Sequence, residues 1–172
     1  MQNSSQKTAY KLALCGVMTA LALVFGYIEH LVPFPIGIYG IKLGLANLVV
    51  VVMLYKIKWH TALCINLVRI FLTFLLFGTA TSLIYSLFGG ILSFFVMLLI
   101  KSLKKPTFSP VGASICGAIA HNLGQLIAAA LLLDELRLAF YLPVLVIVGA
   151  ITGTVIGLVS VIILKHIPQE NK

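Results

Sequence analysis

Six long apolar runs pattern this chain, separated by short stretches rich in lysine, proline or glycine. A helix needs ~20 apolar residues to cross the hydrocarbon core of a bilayer, and that length frames the reading. The first span is expected over about Ala9 to Val32, stopped by Pro33 and Pro35. Further runs follow it and no cleavage site closes it, so it is read as a span and not as a cleaved signal. The second is expected over Lys42–Tyr55 after an approach containing Gly37 and Gly40, so its start is expected to be irregular backbone. The third covers His60–Phe77 and the fourth Thr79–Ile100. After the polar stretch from Lys101 to Pro110, the fifth covers Pro110–Leu133. The sixth runs over Leu138–Leu164, with Pro143 in its first turns, where a missing N–H costs least. The expectation is a single all-α membrane domain over residues 1–172, a six-helix bundle.

The polar residues inside these runs are the informative ones. An ionisable side chain at bilayer depth is expensive and tends to face a bundle interior or a wet cavity. Arg69 is the clearest case, and Asn66, Arg69 and Thr73 fall on one face of the third helix. His121 and Gln125 share a face of the fifth helix, with Asn122 beside them. Glu29 and His30 close the first span, and Asn47 lies in the second. One reading gathers Lys42, Asn47, Asn66, Arg69, His121, Asn122 and Gln125 around a substrate, with Arg69 or Lys42 meeting an anionic group and Glu29 and His30 as a gate or ion pair. The other pairs Arg69 with Glu29 and uses the amides as interhelical hydrogen bonds.

Composition sharpens the class. Hydrophobic residues make up 61% and charged residues 9%, against about 25% charged in soluble domains. The net charge of +8 does not mark a nucleic-acid face, because the basic residues are dispersed in clusters between the apolar runs. Lys7, Lys11, Lys56, Lys58, Lys101, Lys104, Lys105, Lys165 and Lys172 all fall on one side of a six-span chain. The positive-inside rule then places both termini in the cytoplasm of a plasma-membrane protein.

Other chemistries find little footing. Cys15, Cys64 and Cys116 are dispersed within apolar runs and give neither a disulfide framework nor a metal-ligand spacing. The four histidines lie in separate segments, and neither a phosphate-binding glycine loop nor an HExxH motif is present. No Ser/His/acid set assembles from the sequence. Magnesium-dependent prenyl transfer needs clustered carboxylates, and the only adjacent acidic pair is Asp134–Glu135, in a turn. No metal, no cofactor and no self-sufficient enzyme are expected.

Small residues recur at four-residue spacing. Gly149, Gly153 and Gly157 form a stripe on the sixth span; Ala9 and Ala13, then Gly16 and Ala20, do so on the first. Such stripes let helix backbones approach closely, either within this bundle or against a second membrane subunit.

The stretches Ala20-Leu-Ala-Leu-Val-Phe-Gly-Tyr-Ile-Glu-His-Leu-Val-Pro33, Gly40-Ile-Lys-Leu-Gly-Leu-Ala-Asn-Leu48 and Ala118-Ile-Ala-His-Asn-Leu-Gly-Gln125 carry a resemblance. Together they look like the small membrane family of Gx transporter proteins, whose members also bear the label heptaprenyl diphosphate synthase component I. That family in turn resembles the substrate-binding S components of energy-coupling factor (ECF) transporters. The resemblance implies a solute-capturing six-helix bundle with a lid after the first helix. It also implies a transmembrane coupling subunit and cytoplasmic ATPases as partners, met through a small-residue face of the first helix. The label implies the alternative, an accessory membrane subunit in isoprenoid biosynthesis.

Overall fold

A computed structural model describes residues 4–31, 44–103 and 109–167. Helix dominates the described residues, and no strand occurs among them. The helices are α1 (Ser4–Leu31), α2 (Asn47–Lys56), α3 (Trp59–Phe77), α4 (Ala80–Ser102), α5 (Pro110–Leu133) and α6 (Leu142–His166), with a short 3-10 helix, Leu136–Tyr141, leading into α6. All but α2 are long and apolar enough to cross a membrane, which fits a multi-pass membrane protein.

Local chemistry sets the helix ends. Thr79 and Ser82 form a reciprocal capping box at the start of α4, closing the tight link from α3 through Gly78. Ser109 caps α5 and Pro110 begins it. Asp134 ends α5 in a left-handed conformation. Glu135 then accepts from the Arg137 N–H and starts the 3-10 turn. Residues 138–141, expected as part of the sixth span, belong to that turn, and Pro143 takes its place in the first turn of α6.

The second span departs most from expectation. It was expected over 42–55, yet among the described residues it is helical only over Asn47–Lys56. Ten residues reach ~15 Å, about half the hydrocarbon core. Gly44, at φ +79°, bends the chain just ahead of it; the Asn47 and Leu48 N–H groups close on the carbonyls of Gly44 and Leu45. Lys42 lies outside the described residues. Every residue from Asn47 to Leu54 is buried, as a helix apolar on all sides must be. α2 is the axis of the bundle and touches each of the other five helices.

The helices alternate in direction around α2. Its C-terminal half packs with Met18 of α1, Ala62 and Ile65 of α3, Phe94 and Met97 of α4, and Ile163 of α6. At that end Lys56 donates to the Ile167 carbonyl and Lys101 to the Leu54 carbonyl, both at 2.5 Å. Two lysines therefore satisfy terminal carbonyls of α6 and α2. The described helix termini there collect lysines, while the far end does not.

The α4–α5–α6 face is held by backbone contact. A Cβ on Gly153 would sit 2.6 Å from Ile115 Cα, and one on Gly157 2.7 Å from Val111 Cα. Gly149, Gly153 and Gly157 thus face α5 inside the bundle. On the other side of α5, a Cβ on Gly124 would meet the Phe88 carbonyl oxygen at 2.6 Å. On α1 the same kind of stripe points outward: Ala9, Ala13, Gly16 and Ala20 are exposed, and a Cβ on Gly16 meets nothing within 4 Å. Gly153→Ala is therefore expected to destabilise the bundle by about 1–3 kcal/mol through overpacking. Gly16→Ala should leave stability unchanged or slightly higher. Melting of both variants in maltoside micelles checks this; equal melting temperatures would refute the packing assignment.

Candidate functional site

α3 brings one charged side chain into the middle of the bundle. Arg69 is 7% exposed and lines a small cavity. Its Nε donates to Asn66 Oδ1 at 3.0 Å, and its Nη2 donates to Asn47 Oδ1 at 3.2 Å. Asn66 in turn donates through Nδ2 to the Gly90 carbonyl of α4 at 3.1 Å. Because Asn66 accepts from a guanidinium and donates to a carbonyl, its amide has one chemically consistent orientation. This chain ties α2, α3 and α4 together through polar groups that are all buried.

The cavity opens where these helices meet α1 and α5. α1 supplies Gly26 and Glu29; α3 supplies Arg69, Ile70 and Thr73; α4 supplies Ser86, α5 His121, and the turn before α2 Gly44. Its volume is about 10 Å³, room for about one water. Gly26 brings α1 against α3, since a Cβ there would lie 3.2 Å from Thr73 Oγ1. The cavity lies toward the N-terminal end of α2, away from the lysine-lined end.

Glu29 reaches the start of α2. Its Oε1 accepts from the Leu45 N–H at 2.6 Å. A carboxylate is well placed there, where the dipole of α2 is positive. The expected ion pair with Arg69 does not form by contact. Among the described residues no carboxylate oxygen lies within 4.0 Å of the guanidinium, and Glu29 acts on it through space. Arg69 spends both of its hydrogen bonds on neutral amide oxygens, and a guanidinium has further N–H donors to offer.

The other expected residues take distinct places. Asn47 and Asn66 stand behind Arg69 and hold it. The Asn47 Nδ2 is buried without a partner. It lies 2.9 Å from the point where a Gly44 Cβ would be, and His121 Cδ2 lies 3.6 Å from the same point. His121 lines the cavity, while Gln125, one turn further on, is buried against Gly89 of α4. Asn122 turns away and donates to the Leu145 carbonyl of α6 at 2.9 Å, an interhelical tie. His30 is exposed, its ring 5.8 Å from that of Phe77. Ser86, Gly26, Gly44 and Gly89 were not anticipated. A serine within an apolar helix is easily passed over, and the three glycines matter only through what approaches them. No group of three metal-ligating side chains occurs among the described residues.

Residues 18–163 match the family described as heptaprenyl diphosphate synthase component I. The chain belongs to this family. No curated protein and no solved structure matches it. Every residue lining the Arg69 cavity falls within the component I match.

Removing Asn66 leaves a buried charged donor and the Gly90 carbonyl without their partner. Asn66→Ala is expected to cost about 2 kcal/mol of stability, and His30→Ala less than about 0.5 kcal/mol. Unfolding in mixed micelles reads the difference; equal losses would show that Asn66 does not hold Arg69.

Proposed function

We propose that this component I protein is the solute-binding subunit of an ECF-type transporter, an S-component-like bundle. The observation that carries the reading is Arg69, a buried guanidinium with donors to spare, lining a cavity inside apolar helices. Intramembrane charges that lack a contacting counter-ion mark solute paths more readily than they stabilise a fold. On this reading the chain lies in the plasma membrane with its lysine-rich end and both termini in the cytoplasm. The cavity faces outward. The solute is a small vitamin-, cofactor- or isoprenoid-related molecule. A membrane coupling subunit and cytoplasmic ATPases supply the energy, and the chain performs no catalytic step of its own.

A cavity of about 10 Å³ cannot hold such a solute, whose pockets run to about 300–1,000 Å³. The lining helices must part for it to enter. α1 is the helix suited to move, since among the described residues it packs on α2 and α3 alone and its span is the least buried of the five long ones. A second reading is favoured by the family description: an accessory membrane subunit of a heptaprenyl diphosphate synthase. The two separate in the test. Native mass spectrometry after mild extraction should find a bound small molecule, or a coupling subunit with ATPases. Arg69→Ala should lose the small molecule at least about tenfold while the protein still folds, as one charge-assisted hydrogen bond predicts. Finding neither solute nor transporter partner, with a change in prenyl chain length when the chain joins its synthase partner, would replace the transport reading with the second.

A further inference from the structure

Resting on the reading of the Arg69 cavity as a solute site, we infer that the site takes an oxyanion group, a carboxylate, sulfonate or phosphate, and that Glu29 is its built-in competitor. The donors around the cavity favour negative charge. Arg69 offers N–H groups beyond the two bonded to amide oxygens. The Asn47 Nδ2, on a side chain 4% exposed, is buried without an acceptor between Gly44 and His121. The Leu45 N–H points from the start of α2 at a carboxylate already. That carboxylate belongs to the protein itself.

Two anions do not settle together beside one buried guanidinium, because like charges side by side away from water repel strongly. An incoming oxyanion that bonds the free Arg69 donors therefore takes the Leu45 N–H only as Glu29 gives that N–H up. Glu29 leaves by accepting a proton or by swinging out with the last turn of α1, which ends at Leu31. Both routes keep the cavity to one negative charge. In the first, one proton is taken up for each anion bound. Among the described residues, the titratable groups facing Glu29 are Arg69 from α3 and His121 from α5, with His30 beside it on α1 and Ser86 as the uncharged contribution of α4. Lys42, two residues before Gly44, lies outside the described residues.

The test uses the full chain delipidated in dodecyl maltoside, whose head carries no phosphate, so that no lipid headgroup supplies the anion. Methanesulfonate is the probe, because it stays ionised from about pH 8 to about pH 5, and its apparent Kd is read from the concentration dependence of the melting temperature. On the protonation route wild-type affinity should rise up to about tenfold per unit fall in pH, the slope of one linked proton, and on the swing route it stays flat while Glu29→Gln still binds tighter. Glu29→Gln should bind at least about tenfold tighter at neutral pH and lose the slope, and Arg69→Gln should bind neither at high nor at low pH. Equal or weaker binding by Glu29→Gln overturns the inference, as does a slope that survives in it, which would assign the proton to His121 or His30. If Glu29→Gln does not fold, the slope in the His30→Gln, His121→Gln double variant decides: retained, it supports Glu29; lost, it overturns it. A co-purified solute with no anionic group sinks the inference and leaves the transport reading standing. Methanesulfonate behaviour as expected, with no solute and no transporter partner, does the reverse.

Discussion

A guanidinium placed among apolar helices must find oxygen, and much of this bundle is arranged around where Arg69 finds it. The charge cannot face lipid without a cost of several kcal/mol. It turns inward instead and meets the side-chain oxygens of Asn66 and Asn47. Asn66 passes the constraint on to the Gly90 carbonyl of α4, and Asn47 fixes the first turn of α2. Three helices are thus set in register by one side chain. Neutral amides hold the charge in place without cancelling it, as a direct carboxylate contact would.

Close helix packing supports that arrangement from the opposite side. Between helices in lipid there is little hydrophobic gain, so contact area and backbone approach carry the association. α5 is clasped twice: against α6 through Gly149, Gly153 and Gly157, and against α4 through Gly89 and Gly124. The rigid α4–α5–α6 slab carries Ser86 and His121 into the cavity. α1 is drawn to α3 only at Gly26, against the Thr73 side chain, and contributes Glu29 from a helix whose Ala9–Ala20 small-residue face is exposed. The cavity therefore has one firmly built wall and one that rests on few contacts. The opening that the transport reading requires would use this inequality.

The sequence made most of the long helices legible, because apolar length and capping residues are local signals. The face of α3 carrying Asn66, Arg69 and Thr73 also followed from helical spacing alone. Spacing failed where the answer depended on a neighbour. Asn122 sits next to His121 in sequence, yet one residue is about 100° around a helix, enough to send it to α6 instead of the cavity. The stripes on α1 and α6 read alike, and only packing distinguishes the covered one from the open one. The extent of α2 was legible in part: the glycines ahead of it signalled an irregular start, but the bend at Gly44, in a left-handed conformation, is one that no hydrophobic pattern encodes. The adjacent pair Gly89–Gly90 breaks the four-residue rule, and it lies where His121, Gln125 and Asn66 need room.

The survival of α2 at membrane depth ties the two ends of the molecule together. A ten-residue helix buried on every side leaves unpaired N–H groups at its start and carbonyls at its end, and no water is there to meet them. The chain meets both from outside the helix. Lys101 of α4 reaches the Leu54 carbonyl at the negative end, and Glu29 of α1 takes the Leu45 N–H just before the positive end. The two contacts differ in what holds them. Lys101 is anchored also by the Tyr55 ring, its ammonium 5.4 Å from the centroid, on a helix locked against α5. Glu29 stands on the last turn of the least embedded long helix. On the inference drawn above, the carboxylate is the one of the two caps on α2 that an arriving anion replaces without leaving the helix end bare. On that inference the burial of α2 goes with an exchangeable N-terminal end and a fixed C-terminal end.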